Sequence, residues 1–136
     1  MKTDIKNIAA IVATAIWADG EYDEAEKIAL EEIAEAFELD AAELTQAVEA
    51  ALAEIEPMDE EQVNQYIYDN SAEVDDDEAV LLYEAALQII TVDGVVGADE
   101  VENILSIASA LGLDEAEAVL LFAELVQQEP ELELEF

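Results

Sequence analysis

The stretch "ADGEYDEAEKIALEEIAEAFELDAAEL", Ala18 to Leu44, decides the fold, because it returns 74 residues later as "VDGVVGADEVENILSIASALGLDEAEA", Val92 to Ala118. The two lie on each other without a gap. Asp19, Gly20 and Glu26 fall on Asp93, Gly94 and Glu100. Ile33, Ala34, Ala36, Leu39, Asp40, Ala42 and Glu43 fall on Ile107, Ala108, Ala110, Leu113, Asp114, Ala116 and Glu117. Recurrence on this scale means two copies of one supersecondary unit. Each copy reads as a long apolar helix, a D-G turn, an amphipathic helix, a short L-D turn and a third helix.

The surrounding pattern is helical throughout. Leu44, Ala47, Val48, Ala51, Leu52 and Ile55 follow the 3.6-residue period of one buried helix face. Ala, Glu and Leu dominate, and these are good helix formers. About seven helices are predicted, near 3–18, 23–37, 40–55, 59–70, 75–92, 98–111 and 114–128. Pro57 ends the third, and "DNSAEVDDD" parts the fourth from the fifth. The first helix of each copy, "IAAIVATAIWA" and "AVLLYEAALQIITV", is apolar nearly all round, so the two belong at the centre of a bundle. The fold class is all-α: a pseudo-twofold bundle of two three-helix repeats, approximately 3–55 and 75–128, joined by the helix at 59–70. Val63, Tyr66 and Ile67 give that linking helix one face to bury. Residues 1–128 make a single domain. The tail 129–136, "EPELELEF" after Gln128, begins with a helix-stopping proline and alternates Glu with Leu. A flexible acidic tail is expected, with extended docking in a groove as the alternative.

Charge narrows the function. The chain has 37 acidic residues against three lysines, and a formal net charge of −34. Over half its residues are hydrophobic, so it folds where an equally charged polar chain would stay disordered. Lys2, Lys6 and Lys27 cannot be assembled into a phosphate-neutralising patch, which excludes nucleic acid and disfavours anionic membranes. Solubility in a salty environment is the general explanation of such a surface. Cys and His are absent, so disulfides, Cys/His zinc sites and the usual nucleophilic triads are excluded. No stretch reads as a secretory leader or a bilayer span, and a cytoplasmic location is expected.

The D-G turns hold the candidate functional residues. Gly20 and Gly94 suit left-handed helix C-caps. Asp23 with Glu26 reads as a capping box, as do Asp40 with Glu43 and Asp114 with Glu117, while Gly97 takes the cap position before Glu100. Asp19 and Asp93 remain. Each sits at a helix C-terminus, where the macrodipole disfavours a carboxylate by about 0.3–1 kcal/mol. An Asx-turn and a bound cation compete as explanations. The first loop also matches the back half of an EF-hand, but Ala15 and Trp17 would occupy its first two ligand positions and cannot ligate. A shared site drawing carboxylates from both loops is the remaining arrangement: Asp19, Asp23, Glu26, Asp93, Asp99 and Glu100, holding Ca2+ or Mg2+.

The apolar helix ending in "ADGEYDEAE", the following "LEEIAEAFELD" and the second D-G copy together resemble the TerB family of tellurite-resistance-associated proteins, over roughly Thr3 to Gln127. A similar fold is expected in the N-terminal domain of the membrane-anchored DnaJ-like co-chaperone. The resemblance implies an all-helical bundle with an acidic site suspected of binding divalent metal, working in bacterial stress-response or membrane-associated complexes. Asp19, Asp23 and Glu26, with Asp93 and Glu100, match the family's acidic positions, and Gly97 departs from them.

The leading expectation is a non-enzymatic binding module that holds a divalent cation at the D-G turns and docks on a partner protein. The alternative is an interaction protein whose acidic surface meets a basic partner without metal. Catalysis by carboxylates alone is disfavoured, since no Arg or His is available to orient a substrate. Trp17, Tyr22, Tyr66, Tyr68 and Tyr83 read mainly as core or helix-face packing rather than as a ligand pocket.

Overall fold

The computed structural model describes residues 4–19, 24–91, 95–128 and 133–135, with backbone alone at 19, 25, 95, 96, 99 and 133–135. Seven helices run through these residues: α1 (Ile5–Asp19), α2 (Glu24–Ala36), α3 (Ala41–Ile55), α4 (Glu60–Ser71), α5 (Asp76–Thr91), α6 (Ala98–Ala110) and α7 (Glu115–Gln128). Each predicted helix is present, with ends within two residues of the expected ones. Two three-residue strands, β1 (Val95–Gly97) and β2 (Glu133–Glu135), pair in parallel, Val96 opposite Leu134. The Glu–Leu alternation of the tail is thus used as a strand, its backbone pairing the segment after the second D-G turn. Residues 129–132 and 136 lie outside the described residues.

Helix α1 forms the axis of the bundle. Every residue from Ile8 to Ile16 is buried, and α3, α4, α5 and α6 all pack on it. The one polar side chain in that run, Thr14, turns its hydroxyl inward and donates to the Ile11 carbonyl at 2.7 Å, which satisfies it without water. Helix α5 packs against α1 as expected, but it is not enclosed all round. Ala79, Leu82, Tyr83, Ala86, Ile89 and Ile90 are buried, whereas Leu81 and Glu84 are exposed. Those two residues line a groove of about 460 Å3 between α2, α5 and α7.

The third helices of the two copies are used differently. Helix α3 buries Leu44, Val48, Ala51 and Ile55 against α1 and α2. Helix α7 packs chiefly on α6 and buries only Ala118, leaving Val119 and Leu120 about half exposed. The short turns before these helices are nevertheless alike. In the first, Leu39 N–H reaches Ala34 O at 2.7 Å and Glu38 N–H reaches Glu35 O at 3.1 Å. In the second, Leu113 N–H reaches Ala108 O at 3.0 Å and Gly112 N–H reaches Ser109 O at 3.1 Å. Both are Schellman C-caps, with the left-handed position filled by Glu38 (φ 58°) in one and Gly112 (φ 81°) in the other.

Candidate functional site

The D-G carboxylates divide between described and undescribed positions. Asp19 ends α1 and Asp99 is the second residue of α6, each described as backbone only. Asp23 and Asp93, with Gly20 and Gly94, lie outside the described residues. Glu26 and Glu100 are described in full, and both are buried. Glu26, in the first turn of α2, is 0% exposed, and Glu100, in the first turn of α6, is 9% exposed. A charged carboxylate taken out of water is costly unless hydrogen bonds or positive potential stabilise it. Both residues sit where a helix N-terminus supplies that potential. Glu100 also accepts from the Gly97 N–H at 3.2 Å. The two side chains that the repeat superposes therefore share one unusual property: they are acids folded into the protein rather than onto its surface.

The expected caps are partly as written. Asp40 accepts from the Ala42 and Glu43 N–H groups at 2.8 and 3.2 Å, and Asp114 from Ala116 N–H at 2.8 Å. The reciprocal glutamate bonds that would complete either box do not occur among the described contacts, and exposed Glu43 and Glu117 stay in solvent. Gly97 has no side chain, so its cap is the glutamate half alone. A complete box stands where none was expected, at Asp59 and Gln62: Gln62 N–H donates to Asp59 at 2.8 Å, and Asp59 N–H to Gln62 Oε1 at 3.0 Å. The signal D-x-x-Q was present in the sequence after Pro57.

An oxygen-only donor set of this kind suits hard cations such as Ca2+ and Mg2+, which take about six or more oxygens. The fit is incomplete on the described residues, which hold no cluster of three acids able to enclose a metal ion. Glu26 and Glu100 can serve as ligands, and the rest of the shell would have to come from Asp19, Asp23, Asp93 and Asp99.

A second feature lies at the C-terminal end of α1. A pocket of about 680 Å3 opens between the end of α1 (Trp17, Ala18), α4 (Glu60, Val63, Asn64) and α6 (Glu102, Asn103, Leu105, Ser106). Trp17 is 38% exposed there, so the expectation that the aromatics mainly pack inward fails for it. It fails also for Tyr68, which is 50% exposed and has its hydroxyl 3.4 Å from Ser109 Oγ. Tyr66 and Tyr83 follow the expectation. Tyr83 is buried and donates to the Ala118 carbonyl at 2.8 Å, and burial pushes its pKa up to about 12. Tyr66 is half-buried and also raised to about 12, through burial first and then the charge and hydrogen bond of Glu54.

Asn103 is the residue that sequence reasoning missed. It is nine-tenths buried and lines the pocket, and its Oδ1 is enclosed with no hydrogen-bond partner among the described residues. An orphaned buried acceptor costs about 1–3 kcal/mol. The signal was in the repeat. Asn103 falls on Ala29, which is buried in the same way without a polar atom.

Comparison with known proteins agrees with this architecture. A family model described as tellurite resistance protein TerB matches residues 6–122. No curated protein and no solved structure matches the chain.

Proposed function

The chain belongs to the TerB family, and on that premise we propose that it is a non-enzymatic helical binding module whose two D-G turns hold a divalent cation and whose surface docks on a partner protein. The observation that carries the reading is the burial of Glu26 and Glu100 at matching places in the repeat. Two acids kept inside a molecule of net charge −34 invite a cation, because like charges nearby work against both. In this reading a pseudo-twofold relation between the copies brings Asp19, Asp23 and Glu26 toward Asp93, Asp99 and Glu100. The cation, Ca2+ or Mg2+, supplies local positive charge and ties the starts of α2 and α6 to the ends of α1 and α5. The reading takes the module to act in bacterial stress response, in a cytoplasmic or membrane-associated complex. Among the described residues, no helix is long and apolar enough to cross a membrane itself.

The test is a Ca2+ titration of thermal stability and of Trp17 fluorescence in high fixed NaCl, beside Asp19→Ala and Asp93→Ala. A specific site gives saturable stabilisation, about 2.7 kcal/mol at a hundredfold excess over Kd, and loses it in both variants. A weak, unsaturable response common to all three proteins would reduce the turns to architecture.

A further inference from the structure

The pocket at Trp17 has a chemistry of its own. Its lining carries the exposed indole of Trp17, two carboxylates (Glu60 and Glu102) and apolar wall from Leu105. A second depression of about 360 Å3 lies next to it, shares Leu105 and Ser106 with it, and is flanked by Tyr68 and Glu115. Aromatic faces and carboxylates together favour one kind of guest. They call for a flat cation with several N–H donors.

We propose that the cleft between α4 and α6 receives an arginine side chain of a basic partner segment, its guanidinium stacked on Trp17 and donating to Glu60 and Glu102. Arginine fits better than lysine because its planar, weakly hydrated head stacks on an aromatic ring while its five N–H groups meet several acceptors at once. A bare metal ion would use the carboxylates and leave the indole and the apolar wall without a role. A second copy of the chain is excluded as the guest: it contains no arginine and carries the same −34 charge. Charge complementarity therefore points to a different, basic protein, whose arrival the acidic field accelerates. Tyr68 and Glu115 offer a like-natured second position along the cleft for a neighbouring basic side chain of the same segment.

The inference rests on the docking half of the proposed function and not on the cation. Its test runs with EDTA present, by calorimetry at about 0.3 M NaCl, where the Debye length of about 6 Å suppresses diffuse attraction. The probes are a short capped peptide with two arginines, its counterpart with lysines at the same positions, and free ethylguanidinium. The expected result is saturable binding of the arginine peptide, at least about fivefold tighter than the lysine peptide. Trp17→Leu, which leaves the net charge untouched, should weaken it by about fivefold or more, while Val119→Ala on α7 leaves it unchanged. Thermal melts of each variant separate loss of binding from loss of fold. Equal affinity for both peptides, indifferent to Trp17→Leu, would overturn the proposal in favour of diffuse charge. Free ethylguanidinium binding as tightly as the peptide would overturn the partner segment in favour of a small-molecule site. Either failure leaves the Ca2+ titration of Asp19 and Asp93 variants standing on its own.

Discussion

Glu38 and Gly112 occupy the same position in the two Schellman turns, and only one of them suits it. The left-handed conformation brings Cβ close to the following carbonyl, at a cost of roughly 1–2 kcal/mol for a non-glycine residue. Glu38 holds φ at 58° because the turn on either side is fixed: Phe37 is buried, and Leu39 is held by its bond to Ala34. Glu38→Gly should therefore stabilise the protein by about 1 kcal/mol, and Gly112→Ala should destabilise it by a similar amount. Space does not oppose the alanine, since nothing among the described residues lies within 4 Å of its Cβ, so the measured loss is conformational. Chemical denaturation of the pair reads both signs. A stabilised Gly112→Ala would mean that the turn relaxes out of the left-handed region. The exchange of Glu for Gly between the copies was visible in the sequence, but only the backbone dihedrals show which copy carries the strain.

At the scale of the element, α7 is the least secured helix. It buries Ala118 alone, and its described hydrogen bond to α5 is the one from Tyr83 to the Ala118 carbonyl. Tyr83→Phe should cost about 1 kcal/mol, and more if the buried carbonyl then stays unpaired. Amide exchange should quicken along α7 before it does in α1. The same hydroxyl sets an alkaline limit. Burial raises the folded pKa of Tyr83 from 10.0 to about 12, so the neutral form is favoured in the native state. The resulting stability is fully present below pH 10 and is lost as pH rises through 12, because the unfolded chain ionises first. Absorbance titration at alkaline pH should find Tyr83 and Tyr66 ionising last and together with unfolding, and stability should fall less steeply over that range in Tyr83→Phe. Tyrosines that all ionise near pH 10 in the folded protein would contradict this. Helix α4 shows the opposite case. It has few apolar residues, yet its complete Asp59–Gln62 capping box fixes its start.

For the whole molecule, the largest opposing force is its own charge. A formal −34 on 136 residues repels itself in the compact state, and three lysines cannot offset it. The melting temperature should climb with NaCl up to about 1 M, where the Debye length falls to about 3 Å, and KCl should act equally. Stability independent of salt would mean that the buried core outweighs the repulsion at every ionic strength. In high NaCl, a saturable stabilisation by Ca2+ beyond this screening is expected if the D-G turns bind it, which joins the charge prediction to the proposed function. The bundle tolerates its charge because the acids lie mainly on helix faces turned to solvent, while α1 is buried along most of its length and isolates the core from them.

How much of this was legible follows from the range of the interactions involved. Helix number, helix ends, the enclosed α1 and the inward faces of α3 and α4 came from local periodicity and turn chemistry, which act within a few residues and are written in the chain. The TerB relationship was legible from the D-G copies and their spacing. Other features depend on what packs against what. Leu81 and Glu84 are exposed because α7 stands away from α5, although the α5 sequence is as apolar as that of a central helix. Trp17 is exposed because the packing of α1, α4 and α6 leaves a cleft at its end. Asn103 is buried by the packing of α6 on α1 and α4, and in its sequence context it looked like one more polar residue of an amphipathic helix. The tail found a strand partner at Val95–Gly97, 38 residues away along the chain from Val95 to Glu133, a pairing no local pattern specifies. The sequence by itself determined the elements and the family, because both are set by short-range regularities. Tertiary structure alone decided which acids are buried and which aromatic and amide groups face the cleft, because burial is a property of two surfaces and each stretch of sequence describes only one.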